Sequence, residues 1–181
     1  MEITSEQNKK KYFFLRLIPF ALTVFIIAFD QITKYFVTKA GPPNSVIKDV
    51  FGNDLLWIWH VRNPFIAFSL GSNVPEMLRP ILFIVFPLIV LVFLGIFYWR
   101  STDLTNLQRW TITGIIGGGA GNLIDRICRP DGVVDFISVK FFGLFGCDRF
   151  PTFNVADASV VICVFLWLFT IIFAPKPKSA D

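Results

Sequence analysis

Residues 117–135 read Gly117-Gly118-Gly119-Ala120-Gly121-Asn122-Leu123-Ile124-Asp125-Arg126-Ile127-Cys128-Arg129-Pro130-Asp131-Gly132-Val133-Val134-Asp135, and this stretch decides the fold. An apolar, glycine-rich run that begins at Trp110 ends in Asn122, Asp125 and Arg126. It then passes a turn signal at Pro130-Asp131-Gly132 and reaches Asp135. An ionisable group beside hydrocarbon costs a few kcal/mol or more unless it is partnered, so charge at such a boundary points to function. A further acid, Asp157, opens the last apolar run of the chain, and the two stretches are expected to meet.

Composition supports a lipid environment. The 181 residues are 54% hydrophobic and 17% charged, with 22 Phe and a mean hydropathy of +0.62. A soluble domain has about 45–50% apolar and about 25% charged residues. The apolar excess is gathered into long runs, which suits a bilayer better than a dry core. The net charge of +4 is scattered, with no basic stripe interleaved with aromatics, so nucleic acid is not an expected partner. Membrane lipids are.

Cys128, Cys147 and Cys163 have no Cys-x-x-Cys spacing, so no zinc site and no metal are expected. Cys128 and Cys147 fall in one connection and are either a disulfide or two packed thiols. His60 is the only histidine, which removes the usual base of Ser-His and Cys-His hydrolases. Hydrolytic chemistry in this chain must rest on carboxylates, and no cofactor is called for.

Working outward, four runs are long enough to span, over approximately 12–36, 80–99, 110–127 and 155–174. About twenty helical residues cover a hydrocarbon core of roughly 30 Å. Residues 80–99 carry no charge and end in the belt-like Tyr98-Trp99-Arg100. The first run follows Lys9-Lys10-Lys11 and is interrupted by Arg16, whose side chain can snorkel toward the interface. No small-x-small site follows it, so it reads as an uncleaved anchor. In the third run, Gly114 with Gly118 and Gly117 with Gly121 have the spacing that lets helices approach closely.

The connections 37–79 and 128–154 are polar and broken. Residues 45–51 and 55–61 alternate as short strands joined by Gly52-Asn53-Asp54, predicting a β-hairpin outside the membrane. Trp57 and Trp59 share a face, for a local core or for the lipid interface. The expected fold is an all-α membrane protein: four transmembrane helices, a small extracytoplasmic hairpin or cradle, and one membrane-embedded domain. Lys and Arg are nearly balanced between the two sides. The Lys triplet beside the first helix therefore sets the orientation, with both termini cytoplasmic.

Alternating spans bring Asp30, Asp125 and Asp157 to helix ends on one outer face, with Asp135 in a connection between two of them. Lys34, Asn63, Asn122, Arg126 and Asn154 accompany them. Singly, each acid is equally well a helix-end charge, favourable at a helix N-terminus in the case of Asp157. Together they make a carboxylate-lined site. Two carboxylates close enough to share a proton divide into an acid and a base, one activating water and the other protonating the oxyanion of a peptide carbonyl. A proton-coupled transporter subunit is the alternative, since acids and a Lys within spans also build relays. A relay distributes its acids in depth, however, and here they crowd one face. An assembly subunit with satisfied salt bridges is a further rival.

Five ordered motifs carry a family resemblance: Asp30-x-x-Thr33-Lys34, Asn63 followed by Ala67-Phe68-Ser69, Gly121-Asn122-x-x-Asp125-Arg126, Val133-Val134-Asp135-Phe136-Ile137, and Phe153-Asn154-x-Ala156-Asp157. In this order they resemble the lipoprotein signal peptidases (signal peptidase II). The resemblance implies that Asp135 and Asp157 are catalytic, with Asp30, Lys34, Asn63, Asn122, Asp125, Arg126 and Asn154 shaping the site. It also implies an aspartic endopeptidase of the bacterial inner membrane, with its active site toward the outer face; a monomer is expected. The substrate would be a prolipoprotein carrying a diacylglyceryl group on the lipobox cysteine, cut just before that cysteine. Two features depart from the pattern. Pro64-Phe65 stand where a small residue and glycine are expected, and the 136–153 connection is longer than expected.

Overall fold

The computed structural model describes residues 5–65 and 74–173. Ala67-Phe68-Ser69 of the second motif and the tail lysines Lys176 and Lys178 lie outside the described residues. Five helices, α1 Ser5–Leu17, α2 Phe20–Ala40, α3 Phe86–Arg100, α4 Asn106–Cys128 and α5 Val155–Ile172, carry three strands, β1 Ser45–Asp49, β2 Leu56–Asn63 and β3 Val133–Val139. Three helical stretches among the described residues, Lys10–Ala40, Glu76–Arg100 and Val155–Ile172, are long and apolar enough to cross a membrane.

The first apolar run is two helices because Pro19 has no N–H to donate to the turn before it. The chain closes the gap with tight turns, Ala21 N–H to Ile18 O at 3.0 Å and Leu22 N–H to Pro19 O at 3.0 Å. Arg16 does not reach away from the bundle. It donates to Trp99 O at 3.2 Å, and its own carbonyl accepts from the buried Tyr98 hydroxyl at 2.6 Å, docking α1 on the end of α3. α3 is entered through a wide π turn, Ile81–Val85, whose signature is the Phe86 N–H bonding back to Ile81 O. Pro87, one residue on, cannot donate, and in a regular helix its ring would crowd the Phe83 carbonyl. The wide turn removes that conflict.

α4 is the centre of the bundle, packed on α2, α3 and α5. It starts four residues before Trp110 because Thr105 and Gln108 form a reciprocal capping box. Its glycines set the packing distances. A Cβ on Gly118 would lie 2.5 Å from Ala156 O and 2.7 Å from Val160 Cγ2 of α5, and one on Gly117 would lie 3.0 Å from Thr23 Cα of α2. Gly118→Ala is therefore expected to lower the melting temperature by forcing α5 outward, at a cost of about 1–3 kcal/mol. Gly95→Ala in α3, where a Cβ meets nothing within 4 Å, is the matched control and should not destabilise. Equal melting temperatures for the two variants would contradict this packing.

The predicted hairpin is present, and its turn is stapled by Asp49, whose carboxylate accepts from Asp54 N at 2.9 Å, Gly52 N at 3.0 Å and Phe51 N at 3.3 Å. These backbone donors, Asp54 first, hold the Asp49 carboxyl below the usual carboxylate range. Trp57 and Trp59 meet edge to face at 6.4 Å, and Arg149 lies 3.7 Å over the Trp57 ring. A finding beyond the expected hairpin is β3, which pairs antiparallel with β2 to give a sheet of order β1-β2-β3. The segment after β3 folds back on it, with Phe136 N–H and Ile137 N–H both donating to Phe153 O. Val134, Phe136 and Val37 form a small core under the sheet, joined by Ile47, Ile58 and Val155, which seats the sheet on the ends of α2 and α5. Cys128, Cys147 and Cys163 are free thiols.

Candidate active site

Each site element is delivered by a local rule. β3 places Asp135 opposite Val61 of β2. Gly132, in the left-handed region at φ +93°, lets the chain turn into β3 against the Asn63 carbonyl, which a Cβ there would strike. Asn154 caps α5, accepting from Asp157 N at 2.9 Å, while Asp157 Oδ2 accepts in return from Asn154 N at 3.1 Å. The Asn-x-x-Asp sequence is thus a capping box that fixes Asp157 at the helix entrance.

The expected cluster is real, but it resolves into two groups. Asp30, Lys34 and Asp125 are wholly buried, with Lys34 Nζ 2.7 Å from Asp30 Oδ2 and 3.0 Å from Asp125 Oδ2. Arg129, a residue assigned no role from sequence, adds a second cation at 2.6 Å from Asp125 Oδ1. Two acids and two bases therefore balance. Gln31, also unassigned, donates to Asp125 Oδ1 at 3.0 Å and to Gly121 O at 3.1 Å. This network has a mechanical output. Asp30 Oδ1 accepts from Ala156 N at 3.0 Å, and Asp125 Oδ2 accepts from Val134 N at 3.1 Å. Each buried acid thus grips the residue immediately before Asp157 or Asp135.

Asp135 and Asp157 form the second group. Asp135 is 3% exposed and Asp157 is half-buried. Asp135 accepts from Asn154 Nδ2 at 2.7 Å and Asn63 Nδ2 at 3.0 Å, and Asp157 Oδ1 accepts from Asn122 Nδ2 at 2.7 Å. The amide orientations are dictated by their other partners. Lys34 Nζ, which can only donate, binds Asn122 Oδ1 at 3.0 Å, so the Asn122 amino group must face Asp157. Asn154 Oδ1 is committed to the helix cap, so its amino group must face Asp135. Asn63 Oδ1 accepts from Phe65 N at 3.0 Å, with the same consequence.

The Asp135 carboxyl is pushed up to about 7, first by burial and then by the neighbouring Asp157 charge, against the opposing hydrogen bonds from Asn63 and Asn154 and the field of Lys34. Arg126 takes part in no ion pair among the described residues. It donates to Phe65 O at 2.9 Å and lies 5.3 Å over the Phe83 ring, within Coulomb reach of Asp135, Asp157 and Asp125. Among the described residues Thr33 bonds only its own helix backbone, at Phe29 O and Asp30 O. It helps build α2 rather than the site.

Fold and site together define a membrane protein with a directed pair of carboxylates where a helical bundle meets a small sheet. The family model of signal peptidase (SPase) II matches residues 22–173. The lipoprotein signal peptidase of Treponema denticola is 47% identical over 156 residues, covering 86% of this chain and 87% of that protein. That of Treponema pallidum is 39% identical over 181 residues, covering 100% and 94%. A bacterial membrane enzyme solved by the in meso method at 2.3 Å resolution aligns with a TM-score of 0.74 at 27% identity, covering 91% of this chain and 93% of its own. The chain belongs to the signal peptidase II family and is a peptidase. The transporter alternative finds no support in these relatives.

Proposed function

We propose that this peptidase removes the signal peptide from prolipoproteins whose lipobox cysteine carries a diacylglyceryl group, cutting just before that cysteine by aspartic catalysis. The observation that carries the reading is the pairing of Asp135 and Asp157, each facing N–H groups whose direction is fixed by a third partner. Asp135, near 7, keeps a proton through much of the neutral range and serves as the acid toward the carbonyl oxygen. Asp157, at the N-terminus of α5 where the helix dipole favours an anion, serves as the base toward water. Water adds to the carbonyl carbon, Asp157 takes its proton, and the Asp135 proton goes to the developing oxyanion. Collapse of the tetrahedral intermediate then expels the amine, protonated from the same pair.

The supporting roles follow the contacts. Asn63, Asn122 and Asn154 hold and orient the pair, Asp30, Lys34 and Asp125 fix the backbone on either side, and Arg126 supplies positive field. The reading includes four spans, over approximately 12–36, 80–99, 110–127 and 155–174, in one membrane-embedded domain acting as a monomer among membrane lipids. α4 is the fourth. Its 23 residues extend about 35 Å at about 1.5 Å each. Its lower apolarity reflects glycines that face neighbouring helices together with buried polar residues such as Arg109, Thr111, Thr113 and Asp125. Both termini are then cytoplasmic and the pair faces outward in a bacterial inner membrane.

The activity is tested by giving purified protein a diacylglyceryl-modified precursor peptide and its unlipidated twin. Cleavage before the cysteine of the first alone is expected, and cleavage of neither sinks the reading. Topology has its own test. With native cysteines replaced, Asn53→Cys, in the exposed hairpin turn, should react with an impermeant thiol reagent added from outside, and Asn106→Cys, exposed at the start of α4, should not. The reverse pattern would invert the orientation, and equal labelling would overturn the span count.

A further inference from the structure

Beside Asn63 the end of the sheet opens into a groove of about 530 Å³, walled by residues 61–65 and, from the return segment, by Pro151 and Thr152. Asn63 is the residue that donates to Asp135 Oδ2, so the groove adjoins the carboxylate pair through that side chain. Arg62 lines the groove as well, and its Nε is buried with no hydrogen-bond partner. None of the ion pairs among the described residues includes it. The other arginines near the site are engaged: Arg129 with Asp125, Arg126 with Phe65 O, and Arg149 with Ser138 O and Oγ. The buried Nε of Arg62 therefore lies within the wall, and the two terminal nitrogens beyond it form a fork that grips a carboxylate with two parallel bonds.

The groove carries further positive charge and no paired acid. Arg79 lies 5.3 Å over the ring of Phe65, a groove residue, and Arg126 holds the Phe65 carbonyl. Its occupant follows from its place in the fold. The apolar part of a signal peptide belongs among the helices, whereas this groove is built from β2 and the segment returning to α5. The polar chain beyond the cut bond is what lies over it. We infer that Arg62 is a specificity-determining residue that binds an acidic side chain within the first few residues after the lipid-bearing cysteine. This inference rests on the peptidase reading above.

The test uses the full-length enzyme and three lipidated precursor peptides that differ only in the residues following the cysteine: acidic, amide or lysine. Wild-type kcat/KM should favour the acidic peptide over the amide one by about tenfold, expressed mainly in KM, with the lysine peptide poorest. The acidic-to-amide ratio should fall to near one in Arg62→Gln, be partly retained in Arg62→Lys, and invert toward lysine in Arg62→Glu. Equal cleavage of all three peptides by wild type overturns the assignment without reference to any variant. A wild-type preference that survives unchanged in Arg62→Gln overturns it as well. Cleavage of none of the peptides overturns the peptidase reading and this inference together.

Discussion

Asp135→Asn is expected to abolish cleavage, by at least about 10³-fold, while making the protein more stable above pH 7. The first effect follows from removing the group that gives its proton to the oxyanion, since a positioned acid or base contributes about 10²–10⁴. The second follows from linkage. The unfolded aspartate titrates near 3.8 and the folded one near 7, so the folded state holds the extra proton between those values. Its stabilisation is full below pH 3.8 and is lost as pH rises through about 7. A difference of this size corresponds to on the order of 4 kcal/mol. Asparagine escapes that loss but turns one amino group toward the Asn63 donor, returning about 1 kcal/mol. A net gain of about 1–3 kcal/mol at pH 8, read as a raised melting temperature, should shrink at pH 4. Asp157→Asn should be equally inactive and should not be stabilised, because its amino group must oppose either Asn122 Nδ2 or the Asn154 N–H that closes the helix cap. The double variant should be little slower than either single one, as residues acting as a unit are strongly non-additive. The wild-type kcat/KM profile should be bell-shaped with its alkaline limb near pH 7, its apparent values belonging to the pair. Substantial turnover by either single variant would sink the assignment and make Asp125 the acid to test.

Much of this site is legible in the sequence because its signals are local. Long apolar runs locate the helices, Asn154-x-x-Asp157 marks a helix entrance, and the crowding of acids at one set of helix ends follows from alternation. β3 is not legible in the same way. Residues 133–139 are a short apolar run whose partner strand lies about seventy residues earlier, and pairing at that distance leaves no periodic mark on either segment. The division of four acids into a pair balanced by cations and a pair facing asparagine amides is likewise a product of packing. It depends on which carboxylates the glycines of α4 bring near Lys34. Two signals are present but quiet. Pro19 within an apolar run announces the break between α1 and α2, which hydropathy alone conceals. Asp125 in the last turn of α4 and Arg129 at its C-cap stand four apart, the spacing of an ion pair, yet the turn that follows draws attention away from them. The Pro64-Phe65 departure has a structural counterpart. Phe65 is held by Arg126 through its carbonyl and by Arg79 over its ring, so the wall after Asn63 is built by side-chain contacts.

Lys34→Met should give the largest loss of stability of any single change in this site. The ammonium has three N–H groups and spends all of them, on Asp30, Asp125 and Asn122, with no exposure to solvent. Removing it leaves two buried carboxylates with Arg129, on Asp125, as their remaining ion-pair partner among the described residues, and breaking a buried pair in this way costs about 3–5 kcal/mol. Activity should fall for a separate reason. Asn122 Oδ1 then keeps one of its two donors, Asn154 Nδ2 at 3.0 Å, so the amide that faces Asp157 is held less firmly. Stability and chemistry can be separated with a second variant. In Lys34→Met with Asp30→Asn the unpaired charge is gone, and the oxygen of the amide introduced at position 30 can still accept from Ala156 N, so much of the melting temperature should return. Cleavage should return less fully, because Asn122 is then held through Asn154 alone. Arg126→Ala provides the contrast. It loses one hydrogen bond and a ring contact, so its melting temperature should drop by far less, while the field it contributes to both aspartates is removed and turnover declines. A Lys34→Met protein that melts with wild type would show that the two buried acids are neutralised by some other means. Cleavage at the wild-type level in the double variant would show that Asn154 alone holds the Asn122 amino group on Asp157.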